Sequence, residues 1–591
     1  MGYTWIFPSA IPSTELIEAY HPTIASILAQ RGIHTKEDAE IFLNPDYYRD
    51  CNDPFLFEDM TIAVDRIASA LARGEQMTIY CDYDVDGLSS GALLYLTIRQ
   101  LGGNVGAYMN HREHDGYGLQ KSAIQKCIND GTTLFITTDC GISNAAEIAF
   151  AKQYGADVII TDHHTVPSST DDMPAACAII HPLVRAQAYP CKNLAGGGTA
   201  YKLAQALIRS SNSDIELRRS MAKSEKGTSV DWSAYEKWLL DLVCLSTIGD
   251  CVPLQGENRM FVRYGLRVLH KTQRPGLQAL LKRMRDRNMK LTSRAVSFFL
   301  APRINAASRM EHAQLAFDLL TTSSVERAEQ LAEILEKKNT ERQKKTEQLV
   351  SDVREQLDIY HAEEKKILVG NGDEWPLGIL GLVAGRLCDY YRKPVVLMTS
   401  GNGSVSGAAR SIGGFHIAHA FSEISHYFDR YGGHQAAGGF ALKKESSVED
   451  VRQSLESIGN KRIQGEHDSS IPLHLDAEAR LSDISWDMLS QLKKFEPYGQ
   501  ENSKPKIVLK GVKIENKQCV GKTGKHVRFT IQQDSIRKQC IGFSLSDTVK
   551  DLDVGDYVDI ACELDENEWN GSKSIQISII GMRRSVLTAS V

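Results

Sequence analysis

The chain has 591 residues and a formal net charge of −6, with 42% hydrophobic and 24% charged residues. A chain of this length is too long for a single hydrophobic core, so we expect several domains. The negative net charge excludes a general attraction to nucleic acid, so any phosphate-binding surface must be local. No run of about 18 apolar residues occurs, which excludes a membrane-spanning helix. The 12 cysteines include no Cys-x-x-Cys pair, and without a secretory signal they predict reduced thiols and a cytoplasmic protein.

The predicted elements divide the chain into consecutive segments of different character. Helical spacing is followed by strand–helix alternation, then by one long helix, a second α/β pattern and a strand-rich end. The expected boundaries are 1–55 for an N-terminal helical segment, 56–322 for a parallel-sheet α/β domain, 323–360 for a connecting helix, 361–465 for a smaller α/β domain, and 466–591 for a linker and a β-barrel. The predicted fold class is therefore α/β with a C-terminal barrel.

Short apolar runs in the second segment predict the strands of a sheet. Helical stretches such as "SSGALLYLTIRQLG" separate them, and this alternation implies a parallel sheet with both faces covered. The runs are "MTIYC" (77–81), "GAYMN" (106–110), "TLFIT" (133–137), "DVIIT" (157–161) and "ACAII" (176–180).

The later segments carry equally distinct patterns. Residues 323–358 contain no Gly or Pro and are rich in Glu, Lys and Gln, which predicts one long, solvated helix that separates two lobes. In the fourth segment apolar runs predict strands, and the Gly-rich stretches 406–417 and 430–440 predict loops. Five strand-like runs between residues 504 and 582 alternate around Gly, Asn and Lys turns, which is typical of a small barrel such as an OB-fold.

Acidic and imidazole side chains directly follow several of the predicted strands. In "YCDYDVDGLSSG" three aspartates lie two residues apart, so that in an extended chain they point to one side, roughly 7 Å between neighbours. Because ligands of open parallel sheets bind beyond the carboxyl ends of the strands, we expect these groups to share one crevice. With a helix end that adds Asp250, the candidates are Asp82, Asp84, Asp86, Asp139, Asp162, His163 and His164.

A cluster of this charge requires countercharge. Two carboxylates about 4 Å apart repel by about 4 kcal/mol even at an effective dielectric constant near 20. Divalent cations supply the countercharge, and carboxylates with one or two imidazoles suit a first-row ion such as Mn²⁺. Two ions about 3.5–4 Å apart could clamp the attacking and leaving oxygens of a phosphodiester. Taken singly, each aspartate could equally be a cap, and Asp162-His163-His164 a structural turn.

Four stretches, in chain order, resemble the motifs of the DHH phosphoesterases: "DYDVDG", "TTDCG", "TDHH" and "IGDCVPL". Residues 378–387 and 430–440 resemble the associated DHHA1 domain, and with "FEPYGQEN" (495–502) and the predicted barrel the resemblance covers nearly the whole chain. Within this family the chain is similar to the single-strand-specific 5′→3′ DNA exonucleases. The resemblance implies a parallel-sheet DHH domain, a long connecting helix, a smaller DHHA1 domain and a C-terminal OB-like barrel that binds nucleic acid.

The resemblance also implies a role for each clustered residue, with two Mn²⁺ or Mg²⁺ ions as the cofactor. Asp139 would bridge both ions, His164 would touch a substrate phosphate, and Asp162 would orient a neighbouring group. The implied metal ligands are Asp82, Asp84, Asp86, Asp139, His163 and Asp250. The implied catalytic residues are Asp84, Asp86, Asp139, His163, His164 and Asp250.

Further residues are implied in binding the strand. Arg112 and Arg410 would hold the 5′-terminal phosphate, although Ala408 replaces a serine and Pro376 a histidine that the family often has at these positions. The other candidates for phosphate or nucleic-acid contact are Arg303, Asn305, Arg309, His434, Lys522, Lys525 and Arg528. Basic groups around a barrel turn suit single strands. Phe529 beside them is assigned to the core, because it alternates with apolar neighbours.

These roles imply a metal-dependent exonuclease that degrades single-stranded DNA in the 5′→3′ direction to 5′-mononucleotides, in DNA repair and recombination. Single-stranded DNA is the implied partner, with a single-strand-binding protein and a helicase as further candidates, and we expect a monomer without membrane contact. Two alternatives stay open: a DHH phosphodiesterase of oligoribonucleotides or cyclic dinucleotides, and an inactive DHH scaffold that binds DNA. If the long helix and the barrel close a ring around a narrow channel, removing 470–591 should lower processivity more than cleavage.

Overall fold

The computed structural model describes residues 3–112, 115–184, 189–223, 227–401, 403–463, 471–569 and 571–585. The chain folds as two compact units. The α/β unit comprises Asp53–Asp250 and Gly265–Asp468, and the barrel unit comprises Met1–Asn52, Cys251–Tyr264 and Ser469–Val591. Among the described residues, no helix is both long and apolar enough to cross a membrane.

The regular elements are numbered in chain order. The strands are β1 (Tyr3–Ile6), β2 (Gln76–Cys81), β3 (Asn104–Met109), β4 (Thr132–Thr138), β5 (Asp157–Thr161), β6 (Ala178–Ile180), β7 (Leu368–Asp373), β8 (Val395–Gly401), β9 (Ser404–Arg410), β10 (Phe428–Gly433), β11 (Ala437–Leu442), β12 (Ile471–His474), β13 (Ala477–Ala479), β14 (Ile507–Val520), β15 (His526–Gln533), β16 (Ile536–Gly542), β17 (Tyr557–Trp569) and β18 (Ser572–Arg584). The helices are α1 (Thr14–Ala19), α2 (Pro22–Gln30), α3 (Lys36–Leu43), α4 (Tyr47–Asp50), α5 (Met60–Arg73), α6 (Val85–Gln100), α7 (Lys121–Asn129), α8 (Ala145–Gln153), α9 (Gly196–Arg209), α10 (Ser213–Met221), α11 (Trp232–Trp238), α12 (Leu240–Gly249), α13 (Gly256–His270), α14 (Pro275–Arg285), α15 (Ser293–Ala295), α16 (Ala301–Met310), α17 (Gln314–Thr321), α18 (Val325–Ile359), α19 (Leu377–Tyr391), α20 (Ile417–Glu423), α21 (Val448–Arg462) and α22 (Trp486–Lys493).

The first sheet of the α/β unit is parallel throughout, with strand order β3-β2-β4-β5-β6. Each of the predicted apolar runs overlaps one of its strands, so this prediction is confirmed. The register aligns the carboxyl ends, since Cys81 pairs with Thr138, and Thr138 in turn with Thr161. The residue that follows each strand therefore leaves the sheet at the same edge.

Helix α6 follows β2 and is almost entirely buried, because α9 and α12 pack against it. Glycine permits its close approach to the sheet: a Cβ at Gly91 would lie 2.1 Å from Cys81 Sγ. Contacts this close leave the helix no freedom to shift relative to β2. The packing therefore fixes the N-terminus of α6, where Asp84 and Asp86 lie, against the end of the strand.

Helix α18 is the predicted long helix and extends over 35 residues. Ser324 caps it by accepting a hydrogen bond from the Arg327 amide at 3.2 Å. One face is buried against α14, α16, α17 and α19, through a row of apolar side chains that includes Leu331, Leu335, Leu349, Val353 and Leu357. The helix is therefore packed along one side and is not the fully solvated spacer that its composition predicts.

The second sheet of the α/β unit has the order β10-β11-β9-β8-β7, with β7 and β8 parallel and the other pairs antiparallel. The prediction that stretches 406–417 and 430–440 are loops is wrong over much of their length, because β9 and the β10–β11 hairpin run through them. Glycine in β9 allows neighbouring strands and side chains to pack closely. A Cβ at Gly407 would lie 2.3 Å from Phe440 Cζ and 2.7 Å from the Leu397 carbonyl oxygen.

In the barrel unit, the predicted C-terminal strands are β14 to β18, ordered β14-β15-β16-β18-β17, and β14 pairs again with β17 to close the barrel. Apolar side chains of α1, α2 and α3 share one core with the barrel strands and α22, and β1 pairs with β12. Phe529 is fully buried in this core, as predicted. The N-terminal helices thus fold with the barrel, whereas their sequence pattern alone predicts a separate segment.

Candidate metal centre

Neighbouring strands each deliver one aspartate to the same edge of the parallel sheet. Asp82, Asp139 and Asp162 follow β2, β4 and β5, and their amides extend the hydrogen-bond ladder by one residue. The Asp139 amide, for example, donates to the Thr161 carbonyl oxygen at 3.0 Å. Asp139 then turns with φ 61°, in the left-handed region that aspartate tolerates better than most residues. The three carboxylates consequently start from adjacent, fixed backbone positions.

The first motif supplies two further carboxylates at the start of α6. Asp84 caps this helix, since its Oδ1 accepts hydrogen bonds from the amides of Asp86 and Gly87 at 2.8 and 3.2 Å. A Cβ at Gly87 would lie 2.6 Å from the Asp82 carbonyl oxygen, so only glycine fits this tight return of the chain. Asp82 therefore lies at a strand end, Asp84 at a helix cap and Asp86 in the first helical turn. The prediction that all three lie in one extended stretch is wrong.

His163 lies at the centre of the cluster. Its Nε2 is 3.0 Å from Asp139 Oδ1, 3.5 Å from Asp86 Oδ2 and 3.7 Å from Asp250 Oδ2. Among the described residues, the groups whose ligand atoms all lie within 4.8 Å of one another are Asp82–Asp84–Asp139, Asp86–His163–Asp250 and Asp139–His163–His164. The structure therefore brings together every residue that the resemblance implies as a metal ligand.

Crowding changes the acidities of these carboxyl groups. Burial, followed by the charge of Asp86, raises the pKa of Asp139 well above its usual range. Burial and Asp84 raise the pKa of Asp82 to about 8, and burial and Asp86 raise the pKa of Asp250 to about 9. Asp82 Oδ1 is also buried without a hydrogen-bond partner in the described part of the chain. Buried carboxylates that outnumber the cationic groups around them, with one orphaned oxygen among them, fit divalent cations.

Asp86 is held by groups that no sequence motif singled out. Its carboxylate accepts hydrogen bonds from the amides of Gly196 and Gly197, at 2.8 and 2.9 Å, and from Ser246 Oγ at 2.5 Å. The two amides belong to the N-terminus of α9, which favours a negative charge. A Cβ at Gly196 would lie 2.9 Å from the Asp139 Cβ. The available signal was "AGGGTA", in which three glycines open a helix.

The second histidine of the motif is oriented by Asp162. Asp162 Oδ1 accepts hydrogen bonds from His164 Nδ1 at 2.8 Å and from the His163 amide at 2.7 Å, and its Oδ2 accepts one from the Ile142 amide at 3.0 Å. Burial opposes ionisation of Asp162, but the hydrogen bond and charge of His164 hold its pKa at about 2. Burial likewise opposes the charge of His164, yet Asp162 raises the pKa to about 9. The strand thus ends in Asp-His-His to hold one imidazole in the cluster and a second, cationic one beside it.

A group of arginines without carboxylate partners lies beside the cluster. The Arg112 guanidinium is 4.1 Å from the centre of the Tyr83 ring, which stands between two of the aspartates in sequence. Arg309 Nη1 donates a hydrogen bond to the Gly378 carbonyl oxygen at 2.8 Å. Arg410 Nη1 donates one to the Ala409 carbonyl oxygen, also at 2.8 Å. Burial, followed by the nearby charges of Arg112, Arg342 and Arg410, lowers the pKa of Arg309 to about 9. Within the described residues none of the three makes an ion pair, so the group is suited to an anion such as phosphate.

The remaining predicted strand-binding residues have other partners or lie at the surface. Arg303 is 3% exposed and donates to Glu336 at 2.7 and 3.0 Å and to the Phe299 carbonyl oxygen at 2.7 Å. Asn305 Oδ1 accepts a hydrogen bond from the Val85 amide at 2.7 Å. Both residues therefore also support the fold, and their contact with DNA stays a prediction. The exposed candidates are His434, Lys522, Lys525 and Arg528.

Carboxylates and imidazoles that can hold cations, next to arginines suited to an anion, define the class of this protein as a metal-dependent phosphoesterase. Family models agree with this class and divide the chain further. The sequence matches the DHH family, N-terminal domain, over residues 76–228, the DHHA1 domain over 364–461, and the RecJ OB domain over 475–581.

Similarity to known proteins, in sequence and in structure, identifies the family. The single-stranded-DNA-specific exonuclease RecJ of Bacillus subtilis (strain 168) is 34% identical over 572 residues, which cover 95% of this chain and 68% of that protein. The crystal structure of RecJ in complex with Mn²⁺ from Thermus thermophilus has a TM-score of 0.79 and 26% identity, covering 98% of this chain and 79% of that chain. The corresponding Mg²⁺ complex has a TM-score of 0.74 and 24% identity, covering 98% and 78%. The chain belongs to the RecJ family, and the predicted DHH, DHHA1 and OB-like architecture is confirmed.

Proposed function

We propose that this chain hydrolyses single-stranded DNA from the 5′ end and releases 5′-mononucleotides, in DNA repair and recombination. As a member of the RecJ family it is a metal-dependent, single-stranded-DNA-specific exonuclease. One observation supports the direction: the unpaired arginines lie directly beside the carboxylate cluster. A terminal phosphate held there would leave the next phosphodiester within reach of the metal centre.

The cofactor is Mn²⁺ or Mg²⁺, and we propose two ions. Asp82, Asp84 and Asp139 would hold one, and Asp86, His163 and Asp250 the other, since each set has its ligand atoms within 4.8 Å. When bound, the cations neutralise phosphate charge and supply a nucleophilic water at neutral pH. The oxygen ligands suit either ion, and the imidazole of the second set favours Mn²⁺.

His164 contributes a positive charge of the chain itself. Its Nδ1 is engaged by Asp162 at 2.8 Å and lies 3.0 Å from the Tyr117 hydroxyl, which leaves Nε2 to donate a hydrogen bond to a phosphate oxygen of the substrate. Because Asp162 raises the pKa of His164 to about 9, this imidazole stays charged at neutral pH. The charge would stabilise the negative charge that develops on the phosphate during hydrolysis.

The arginine pocket binds and orders the end of the strand. Arg112 lies over the Tyr83 ring, which holds its guanidinium beside the carboxylate cluster. Arg309 and Arg410 add donors from a helix and a strand of the same unit. Three guanidinium groups that repel one another lose this repulsion when a dianionic terminal phosphate enters, and a 5′-hydroxyl end offers no such charge.

The test uses single strands labelled at either end, a matching duplex and a dinucleotide, each with Mn²⁺ and with EDTA. We expect a 5′ label to leave as a mononucleotide from the earliest time, with no cleavage of blunt duplex and none in EDTA. An Asp139→Asn variant serves as the control for contaminating nuclease. Early release of the 3′ label, or of a 5′-labelled oligonucleotide, would contradict the proposed direction and product.

We also propose that the enzyme acts as a monomer in the cytoplasm, next to a single-strand-binding protein and a helicase. The support is the nature of the substrate, because single strands in a cell arise from unwinding and are covered quickly. Sedimentation of the purified protein and pull-down with each partner, with and without single-stranded DNA, would test these points separately.

A further inference from the structure

Helix α19 carries glycines on the face that meets the arginines of the pocket. Gly378, Gly381 and Gly385 recur at spacings of three and four, which place them along one side of a helix. A Cβ at Gly381 would lie 2.9 Å from Arg410 Nη2, 3.3 Å from its Cζ and 3.4 Å from its Nη1. A Cβ at Gly378 would lie 2.7 Å from the Arg309 carbonyl oxygen. Two of the pocket's arginines are therefore placed by the bare backbone of α19.

The guanidinium of Arg410 has little else to fix it. Its Nη1 donates to the Ala409 carbonyl oxygen at 2.8 Å, and no ion pair holds it in the described part of the chain. Strand β9, which ends at Arg410, packs against α19. The surface of the helix at Gly381 thus decides where the planar group lies. Glycine is a poor helix former and alanine the best one, so glycine in mid-helix needs a steric reason, and Arg410 provides it.

We propose that Gly381 is a positioning residue of the terminal-phosphate pocket. Its missing side chain lets the Arg410 guanidinium lie against α19, in the orientation from which it binds the 5′-terminal phosphate. This inference rests on the proposed function of Arg410 in binding that phosphate. Gly381 then contributes to the preference for a phosphorylated end without touching the substrate.

A matched pair of variants tests the proposal. In Gly381→Ala the new methyl group must displace the guanidinium, whereas in Gly385→Ala, one turn on, the methyl group meets only Arg410 Cγ at an ordinary 3.8 Å. The measurement is kcat/KM with Mn²⁺ on a 5′-phosphorylated and a 5′-hydroxyl single strand of the same sequence. We expect Gly381→Ala to lower the ratio of the two values about tenfold, the effect of losing roughly one charge-assisted hydrogen bond, and Gly385→Ala to keep it within about twofold.

The Arg410→Ala background separates this inference from the proposed function. There, Gly381→Ala should change the ratio no further, because the group it displaces is gone. A native ratio near one would overturn the role of the terminal phosphate and the inference with it. A native preference that Arg410→Ala abolishes but Gly381→Ala leaves intact would overturn the inference alone.

Thermal unfolding keeps the proposal testable if Gly381→Ala folds poorly. The double variant Gly381→Ala/Arg410→Ala should then unfold at the same temperature as Arg410→Ala or at a higher one, since the steric conflict is with Arg410 and alanine is the better helix former. An equal loss of stability from Gly381→Ala in both backgrounds would show that the methyl group disturbs α19 itself, and would overturn the inference.

Discussion

Asp139 carries much of the strain of the metal centre. Its backbone is left-handed, with φ 61°, and its Oδ1 lies 3.0 Å from His163 Nε2 and 3.6 Å from His164 Nδ1. Burial and Asp86 raise the pKa of its carboxyl group well above the usual range. Without cations, the cheapest way for such a cluster to stay buried is to bind protons instead.

The metal-free protein should therefore become less stable as the pH rises. Asp82 and Asp250 have pKa values of about 8 and about 9 in the folded state, above the value of about 4 in an unfolded chain. Their protonation stabilises the folded state fully below about pH 4, and this contribution is lost as the pH rises to about 9. We expect the Tm in EDTA to fall over this range and Mn²⁺ to restore most of it at pH 8, measured by circular dichroism.

The sign of this dependence is the critical observation. A Tm in EDTA that rises steadily from about pH 5 to about pH 9 would contradict the crowding of carboxylates in the folded state. An Asp139→Asn variant, which removes one charge from the cluster, should flatten the decline.

At the scale of elements, the N-terminus of α9 shapes the metal centre as much as the strand ends do. Its amides and Ser246 Oγ hold both oxygens of Asp86. Neighbouring hydrogen bonds of this kind orient a metal ligand, and their loss typically lowers metal affinity by about 10–100-fold. The element is therefore part of the site through its backbone amides.

Ser246→Ala tests this role of the supporting elements. Without the hydroxyl, one Asp86 oxygen loses a hydrogen bond of 2.5 Å, so the Mn²⁺ concentration for half-maximal activity should rise by about 10-fold or more. Ser89→Ala is the matched control, because Ser89 Oγ is also buried but has no hydrogen-bond partner in the described residues. Equal metal requirements in the two variants would count against the support of Asp86 by Ser246.

Helix α18 is anchored by the residue that sequence comparison assigned to DNA. Arg303 and Arg287 both pair with Glu336 of this helix, but the Arg303 side chain is 4% exposed and that of Arg287 is 54% exposed. The buried pair also stacks on the Phe299 ring, whose centre lies 3.4 Å from the Arg303 guanidinium. Of the two arginines, Arg303 therefore contributes more to the anchorage of α18.

Arg303→Ala should destabilise the protein rather than weaken DNA binding. We expect a loss of about 2–3 kcal/mol in the free energy of unfolding, less than for a fully buried pair because Glu336 is 22% exposed. Arg287→Ala, the control at the same carboxylate, should cost about 0–1 kcal/mol. Urea unfolding gives the stabilities, and KM for single-stranded DNA should stay within about twofold of the native value. A large rise in KM at unchanged stability would instead favour the contact with DNA.

At the scale of the whole molecule, the division into units changes how the barrel can be tested. Removal of residues 470–591 would uncover apolar side chains of α1 and α2, such as Leu16 and Ile24, which share the barrel core. Such a protein would lose more than a DNA-binding surface. Substitution of exposed basic residues leaves the core intact and is the cleaner experiment.

The triple variant Lys522→Ala/Lys525→Ala/Arg528→Ala should weaken binding of long single strands. These side chains are exposed around the β14–β15 turn, so their removal should lower the slope of log Kd against log salt concentration by about 2 if each contacts one phosphate. Hydrolysis of a dinucleotide, which needs only the metal centre, should change less than about twofold. Lys550→Ala, an exposed lysine elsewhere in this unit, serves as control. An unchanged slope would remove these residues from the DNA path.

Local patterns in the sequence suffice to predict the strands, the long helix and the carboxylate cluster. Apolar runs, turn residues and acidic strand ends are local signals, and parallel topology alone requires Asp82, Asp139 and Asp162 to meet at one edge. A predicted helix end adds Asp250 to these candidates, and the resemblance supports the same grouping.

The groups that surround those residues follow from the packing of the folded chain. Gly196 and Ser246, which are distant from Asp86 in sequence, donate hydrogen bonds to its carboxylate. Arg303 forms an ion pair with Glu336. The Arg410 guanidinium lies against the backbone of Gly381. The Gly-rich stretches form strands, and the N-terminal helices share a core with the barrel. In both cases packing against residues distant in sequence outweighs the local preference for a loop or a separate segment. These contacts depend on which surfaces of the folded chain pack together, and the local sequence pattern does not indicate this.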